Sequence, residues 1–334
     1  MKAYHIDGFG SLDGIVLRDD SMPKPGIREV VVRIHARSIN YRDLLILNKL
    51  YPLPATPGVV PLSDGAGEVV AVGDGASRVA VGDRVSATYF PRWRDGRIEP
   101  ELGMEQFGCT RNGMLSEFFV ADEQALVKIP THLSFQEAAA LPCAGVTAWS
   151  ALNGPRRVLP GENVLTIGTG GVALFALQFA KIFGARTIAI TSSSKKAELL
   201  KKLGADEVVN YKENPDWHLA VRELTGGRGV DHVVETGSIE TLPKSLSTCA
   251  WNAEVALVLA LLGGSLDVAA LRGLFSARRL FVGSRASFEA MNRAIETHKL
   301  RPVIDRVFPF GEARGAYEHF EAKRHVGKVI IADA

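Results

Sequence analysis

The stretch Asn163-Val164-Leu165-Thr166-Ile167-Gly168-Thr169-Gly170-Gly171-Val172-Ala173 decides how this chain is read. Its first five residues are a short, mostly apolar run that stops at a glycine, the pattern of a buried strand. The next six follow G-x-G-x-x-A, a dinucleotide-binding fingerprint with alanine in place of the last glycine. Gly168 permits a tight turn, and Gly170 lets the backbone come close to a pyrophosphate. Ala173 is small enough for a helix to pack tightly on the strand. Thr169, Gly171 and Val172 complete the turn and open that helix, whose unpaired N–H groups attract an anion. A glycine cluster alone is often only a turn; the strand before it and the helix after it make this one a dinucleotide site.

The texture continues downstream. A helical stretch over 172–183 stops at Gly184, 186–191 reads as a second strand, and 195–203 as a second helix ending at Gly204. Further strands are expected over 207–211, 231–236, 253–259 and 279–283, and a helix over 313–323 precedes a last strand at 328–331. Strands alternating with helices make βαβ units and hence a parallel sheet. The second strand ends in Thr191-Ser192-Ser193-Ser194-Lys195-Lys196, with no acid before Glu198. An enzyme for NAD(H) places Asp or Glu near this point to bond the ribose 2′-hydroxyl. Hydroxyls and ammonium groups suit a 2′-phosphate instead, which favours NADP(H) over NAD(H). The plainer reading of Lys195 and Lys196 is a solvated helix start.

Upstream the pattern is different. Residues 29–36, 68–73 and 82–85 are short apolar runs punctuated by Gly, Pro and Asp, as in a small barrel or sandwich. Residues 91–112, rich in Arg, Gly and Pro, show no period and read as a long loop, which in a compact domain is usually functional or mobile. The chain of 334 residues therefore divides into an α/β pair. A β-rich domain over 1–125 is completed by about 300–334, and a doubly wound parallel-sheet domain spans 126–299.

Composition narrows the class. Hydrophobic residues are 46% and charged residues 23%, which excludes disorder and collagen-like chains. The net charge of +2 is interleaved, with no basic stripe, so no nucleic acid is expected as a partner. The longest apolar run, 255–262, is too short to span a membrane, and the start has no apolar stretch of signal-peptide length. Cys109, Cys143 and Cys249 form no C-x-x-C pair, which points to reduced thiols and a cytoplasmic location.

These features together resemble the medium-chain dehydrogenase/reductase superfamily, whose members join a GroES-like catalytic domain to a Rossmann domain. Within it the chain is similar to quinone oxidoreductases and to zinc-type alcohol dehydrogenase-like proteins that lack zinc. The matching stretches are Ser38-Ile39-Asn40-Tyr41-Arg42-Asp43, Leu62-Ser63-Asp64-Gly65-Ala66-Gly67-Glu68-Val69, Gly113-Met114-Leu115-Ser116-Glu117-Phe118, Leu141-Pro142-Cys143-Ala144-Gly145-Val146-Thr147-Ala148-Trp149 and His325-Val326-Gly327-Lys328. The resemblance implies a small-molecule substrate, a discontinuous catalytic domain and a homodimer.

Zinc-binding members supply Cys, His and Cys to a catalytic metal; the corresponding residues here are Asn40, Ser63 and Cys143. An amide and a hydroxyl are poor zinc ligands, and three cysteines cannot build the family's four-cysteine structural site. No zinc is expected. Without a Lewis acid the substrate must itself spread the charge left by hydride addition. A quinone does so as a phenolate-like anion, comparable to tyrosine with its pKa of about 10; an enone does so as an enolate. The expected reaction is NADPH-dependent reduction of a quinone, enone or activated carbonyl. The alternatives are an NADPH-binding sensor without turnover and an alcohol dehydrogenase acting on simple alcohols.

The resemblance makes Asn40 an amide donor near the nicotinamide or the substrate oxygen, and Tyr51 a pocket residue able to donate a proton or simply to pack. Cys143 is a small apolar residue beside the nicotinamide or a redox-sensitive thiol. Asp43 and Asp64 relay a proton or pair with a neighbour such as Arg42. The resemblance also puts Thr147 near the nicotinamide phosphates, Tyr211 near the adenine, and cofactor contacts at Gly237, Val258, Leu259, Ala260, Gly283 and Ser284. Arg285 is a further phosphate candidate. Each of these can instead be a strand end without a ligand.

Overall fold

A computed structural model describes residues 1–258 and 263–333. It divides into two units, Met1–Val146 with Gly283–Ala334, and Thr147–Val282. The first unit runs on past residue 125 because the strand and turns that follow still belong to its sheet. It regains the chain at 283 rather than 300, because the helix that begins there packs on that sheet's last early strand.

The first unit opens with a hairpin, β1 (Lys2–Ile6) and β2 (Ile15–Asp19). The long strand β3 (Glu29–Ser38) is followed by helix α1 (Tyr41–Leu47), then β4 (Asp64–Val72) and β5 (Arg84–Ala87). The segment read as a plain loop contains a short helix, α2 (Pro100–Gly103), started by a proline whose missing N–H costs nothing at that position. Strands β6 (Phe118–Asp122) and β7 (Leu126–Lys128) follow. Ser134 and Glu137 cap helix α3 (Phe135–Ala138) reciprocally. A wide π turn over Leu141–Gly145, containing Pro142, leads into α4 (Val146–Leu152).

In the second unit β8 (Asn163–Ile167) leads to α5 (Gly171–Ile182), and β9 (Arg186–Thr191) to α6 (Ser194–Lys202). Then come β10 (Glu207–Asn210), α7 (Trp217–Leu224), β11 (Val230–Glu235), α8 (Leu242–Ser247), β12 (Cys249–Leu257) and β13 (Phe275–Arg279). All pair in parallel in the order β10-β9-β8-β11-β12-β13. This is the doubly wound order in which the first strand and the fourth lie side by side and open a crevice at their carboxyl ends. The strand expected over 279–283 lies earlier, at β13. Its residues, Phe275-Ser276-Ala277-Arg278-Arg279, are half-exposed or exposed, as an edge strand allows, and the apolar Leu280-Phe281-Val282 that suggested a strand follows it. Likewise β12 begins before residue 253, through the exposed Trp251 and Asn252.

The chain then returns to the first unit through α9 (Arg285–His298), β14 (Ile304–Pro309), α10 (Ala313–Glu321) and β15 (Lys328–Ala332). The sheet there runs β14-β15-β3-β4-β5-β7. Strand β3 is long enough to pair with β6 through Glu29–Arg33 and with β15 through Ala36–Ser38. Ile39, Leu44, Leu47, Val329, Ile331 and Tyr317 are buried together, so the last strand and α1 share one core. That shared core fixes the junction at residues 38–43 against the start of β15. No helix among the described residues is long and apolar enough to cross a membrane.

Candidate active site

In the first unit, Asn40 ends the extended run from β3 and stands just before α1. Its backbone N–H donates to Asp43 Oδ2 at 2.8 Å, so an acid in the first turn satisfies a group the helix leaves open. The Asn40 side chain has partners of its own. Its Oδ1 accepts from Lys328 Nζ at 2.5 Å, while its Nδ2 is buried with no hydrogen-bond partner. A ligand's acceptor can satisfy such a donor, and the neighbouring Arg42 Nε is a second buried atom of this kind.

Around this amide sits a small set of buried polar groups. Asp64 is fully buried; its Oδ1 accepts from Ser63 Oγ at 2.7 Å and its Oδ2 from the Cys143 backbone N–H at 3.1 Å. Asp43 lies 3.5 Å from Arg42 Nη1, and burial outweighs that pairing to lift its carboxyl to about 6. Burial, followed by the charge of Asp64, pushes the Cys143 thiol well above its usual range, so it stays protonated. Asn40 and Cys143 thus lie in one cluster of buried polar groups.

Tyr51 lies beside that cluster, next to Arg42 and Tyr89. Its hydroxyl lies 2.7 Å from Tyr89 Oη and 2.7 Å from Gln106 Oε1, and Tyr89 Oη is 3.1 Å from the same Gln106 oxygen. Two hydroxyl protons serve three contacts, so Tyr51's proton is already engaged. The Arg42 guanidinium lies over both rings, 5.2 and 4.7 Å from their centroids, and donates to the Phe107 carbonyl at 2.9 Å. Tyr89, Gln106 and Arg42 drew no site assignment in the sequence. Arg42 stood beside a suspected acid, and nothing in the spacing of Tyr89 and Gln106 shows that the fold unites them.

In the second unit the glycine turn 168–171 joins β8 to α5. Gly168 has φ of +86°, a left-handed conformation that side chains resist. Gly170, the residue before α5, has φ of −76° and ψ of 172°, ordinary extended values. A Cβ added at Gly170 would meet nothing within 4 Å. Neither backbone strain nor packing requires glycine there, so the space it leaves fits a ligand approaching Gly171, Val172 and the helix start. Thr169 is buried within the same turn.

Thr191, Ser192, Ser193, Tyr211, Gly237 and Val258 lie at or just beyond the carboxyl ends of the parallel strands. The Tyr211 N–H donates to the Thr191 carbonyl at 2.9 Å, joining the ends of β10 and β9. Ser193 Oγ accepts from the Lys196 N–H at 3.4 Å and so begins α6; Ser192 precedes it. Beside them Ser194 Oγ lies 3.3 Å from Glu213 Oε1, an acid that sequence reading passed over because it follows the third strand rather than the second. The Gly237 N–H donates to Glu235 Oε1 at 2.7 Å, and the Val258 N–H to the Glu235 carbonyl at 3.0 Å. Thr147 is buried at the start of α4. Leu259 and Ala260 lie outside the described residues. Gly283, Ser284 and Arg285 belong to the first unit: Ser284 caps α9, and the Arg285 guanidinium is taken up by Gln124 and Glu289. Those partners give a phosphate role for Arg285 no support.

Two compact units, one a strand-rich sheet carrying a buried polar cluster and one a doubly wound nucleotide-type sheet, define the architecture of two-domain dehydrogenases. Residues 26–131 match the family described as alcohol dehydrogenase GroES-like domain, and residues 171–301 that described as zinc-binding dehydrogenase. A zinc-type alcohol dehydrogenase-like protein of Schizosaccharomyces pombe is 40% identical over 98% of this chain and 96% of its own. The quinone oxidoreductase of Pseudomonas aeruginosa is 30% identical over 99% of both chains. A solved structure described as an NAD-dependent alcohol dehydrogenase is 33% identical, superposes with a TM-score of 0.89 and covers the whole of both chains. The chain belongs to the medium-chain dehydrogenase/reductase superfamily of oxidoreductases.

Among the described residues no group of three or more His, Cys, Asp or Glu side chains is placed to hold a metal. The donor chemistry at Asn40, Ser63 and Cys143 also does not fit zinc. The serine hydroxyl is spent on Asp64, and the Asn40 oxygen already faces an ammonium ion, which leaves Cys143 as the one ordinary zinc donor of the three.

Proposed function

We propose that the protein is a zinc-independent, NADPH-dependent oxidoreductase that reduces a quinone, an enone or an activated carbonyl. The observation that carries this reading is the unpaired Asn40 Nδ2, on the amide whose oxygen faces the buried Lys328 ammonium. A bound nicotinamide nucleotide supplies the hydride. The protein's own contribution is to hold the oxygen that gains charge as its substrate is reduced. Asn40 Nδ2 donates to that oxygen, and water supplies the final proton. An amide donor is enough for an enolate or phenolate; a simple alkoxide needs a stronger electrophile.

The turn Gly168-Thr169-Gly170-Gly171 and the start of α5 hold the pyrophosphate. Ser192, Ser193 and Lys196 favour the 2′-phosphate of NADP(H), while Glu213 nearby is the group that would favour NAD(H). Exposed Trp251, Val268, Leu271 and Leu274 beside the edge strand β13 support a homodimer formed along that sheet edge. Three free thiols support a reducing, cytoplasmic setting. The test is nucleotide consumption with a panel of quinones, enones and aldehydes, set against ethanol-type oxidation. Reduction should be much the faster. Faster alcohol oxidation would overturn the reading, and tight nucleotide binding with no turnover would replace it with a sensor.

A further inference from the structure

Lys328 opens β15 as the one charged residue of an otherwise apolar strand, and only 3% of it is exposed. A lysine is rarely so buried without partners. Its Nζ donates to the Ile39 carbonyl at 2.8 Å and to Asn40 Oδ1 at 2.5 Å. Both acceptors lie in the junction between β3 and α1. Burial lowers the pKa of its ammonium, and the negative charges of Asp64 and Asp43 oppose that shift and favour the charged form. With Arg42 they make a buried set of two cations and two acids. Removing one cation would leave a carboxylate without compensation.

The ammonium also determines which way the Asn40 amide faces. It has protons to give and no lone pair, so it can lie against the amide oxygen and never against the NH2 group. The oxygen is therefore pinned toward Lys328, and the NH2 group is pinned away from it. That NH2 group is the one found buried and unpartnered. A cation on the oxygen draws electron density from the amide nitrogen and makes its N–H groups stronger donors, as chains of hydrogen bonds polarise one another.

We propose that Lys328 is a positioning residue for the reduction. Its ammonium locks the Asn40 amide with Nδ2 presented to the substrate, and it lends positive charge to that donor as the substrate oxygen becomes anionic. Lys328 does not touch the substrate; it acts through Asn40. This inference rests on the reading that Asn40 binds that oxygen. The ligand class is an oxyanion of the phenolate or enolate type, and the neutral ether of the same shape should be insensitive to Lys328.

The test uses the whole protein with 4-nitrophenolate as a stable oxyanion and 4-nitroanisole as its neutral counterpart, both read by equilibrium binding. In parallel, kcat and KM are measured for a quinone, and nucleotide affinity by fluorescence. K328M should weaken 4-nitrophenolate and lower kcat, each by about ten- to a hundredfold, with 4-nitroanisole and nucleotide binding unchanged. N40A should do the same, and the double variant should lose little more than either alone. A purely structural lysine would instead lower stability and leave phenolate and anisole affected alike, or the two losses would multiply; either result overturns the proposal. If N40A weakens the phenolate and K328M does not, the role of Lys328 fails while that of Asn40 stands. If neither does, both fail. Should K328M not fold, K328Q, which keeps a donor and loses the charge, must show a smaller loss of the same kind.

Discussion

Replacing Gly170 with alanine separates a glycine kept for a ligand from one kept for the fold. The backbone at Gly170 takes extended values open to any residue, and its added methyl would meet no atom within 4 Å. Two small effects on stability oppose each other. Alanine restricts the unfolded chain, which stabilises by about 0.4–1 kcal/mol. It is also a poorer residue than glycine just before a helix, at a cost of roughly the same size. The folded protein should therefore lose less than about 1 kcal/mol, or about 3 °C in Tm for a chain of this size. Nucleotide binding should suffer far more. A methyl in the open space at Gly170 pushes the pyrophosphate off at least one backbone N–H, and a hydrogen bond to a charged group is worth about 1.5–3 kcal/mol. That corresponds to roughly a ten- to hundredfold weaker Kd. The loss should be equal for NADPH and NADH, because the pyrophosphate is common to both. Thermal melting without nucleotide and fluorescence titration with each nucleotide provide the two numbers. An unchanged Kd would refute the assignment of this turn, and a melting temperature lower by ten degrees would show that the glycine serves the fold. G168A is the contrast: at φ of +86° it should lose about 1–2 kcal/mol of stability before any ligand is added.

Three further outcomes are expected. K196E should weaken NADPH much more than NADH in the same titration, whereas equal losses would remove the 2′-phosphate reading. Native Cys143 should resist iodoacetamide at neutral pH when followed by mass spectrometry, since burial keeps its thiol protonated; rapid labelling would contradict that. Asp43 gives a pH signature. Burial raises its carboxyl from 3.8 to about 6, so the folded state binds this proton more tightly than the unfolded chain. The stability it contributes is complete below about 4 and is lost as the pH rises through about 6, by about 3 kcal/mol. D43N should remove this dependence, gaining on the wild type between about pH 4 and pH 7.5 in urea unfolding; a constant difference would refute it.

Much of the second unit was legible because its signals are local. A strand, a glycine turn and a helix are contiguous in 163–183, and alternation repeats them. What misled was the edge of the sheet, where half-exposed Phe275–Arg279 carries no apolar run and Leu280-Phe281-Val282 does. The candidate active-site cluster was legible only in part. Asn40, Ser63 and Cys143 stood out by resemblance to ligand positions, but the partners that give Asn40 its orientation come from far along the chain. Lys328 is 288 residues from Asn40, and only the pairing of β15 with β3 brings them together. Its one visible trace was a lysine opening the run Val329-Ile330-Ile331, an expense of burial that a strand does not otherwise carry. Tyr51, Tyr89 and Gln106 meet around Arg42 for the same reason, through loops whose course no period encodes.

Metal content measured together with turnover tests the central claim most directly. The purified protein, assayed for NADPH-dependent quinone or enone reduction after dialysis against a chelator, should hold well under one zinc per chain and keep its full activity. One zinc per chain, with activity lost on chelation and restored by the metal, would contradict an active site built on Asn40 and Lys328.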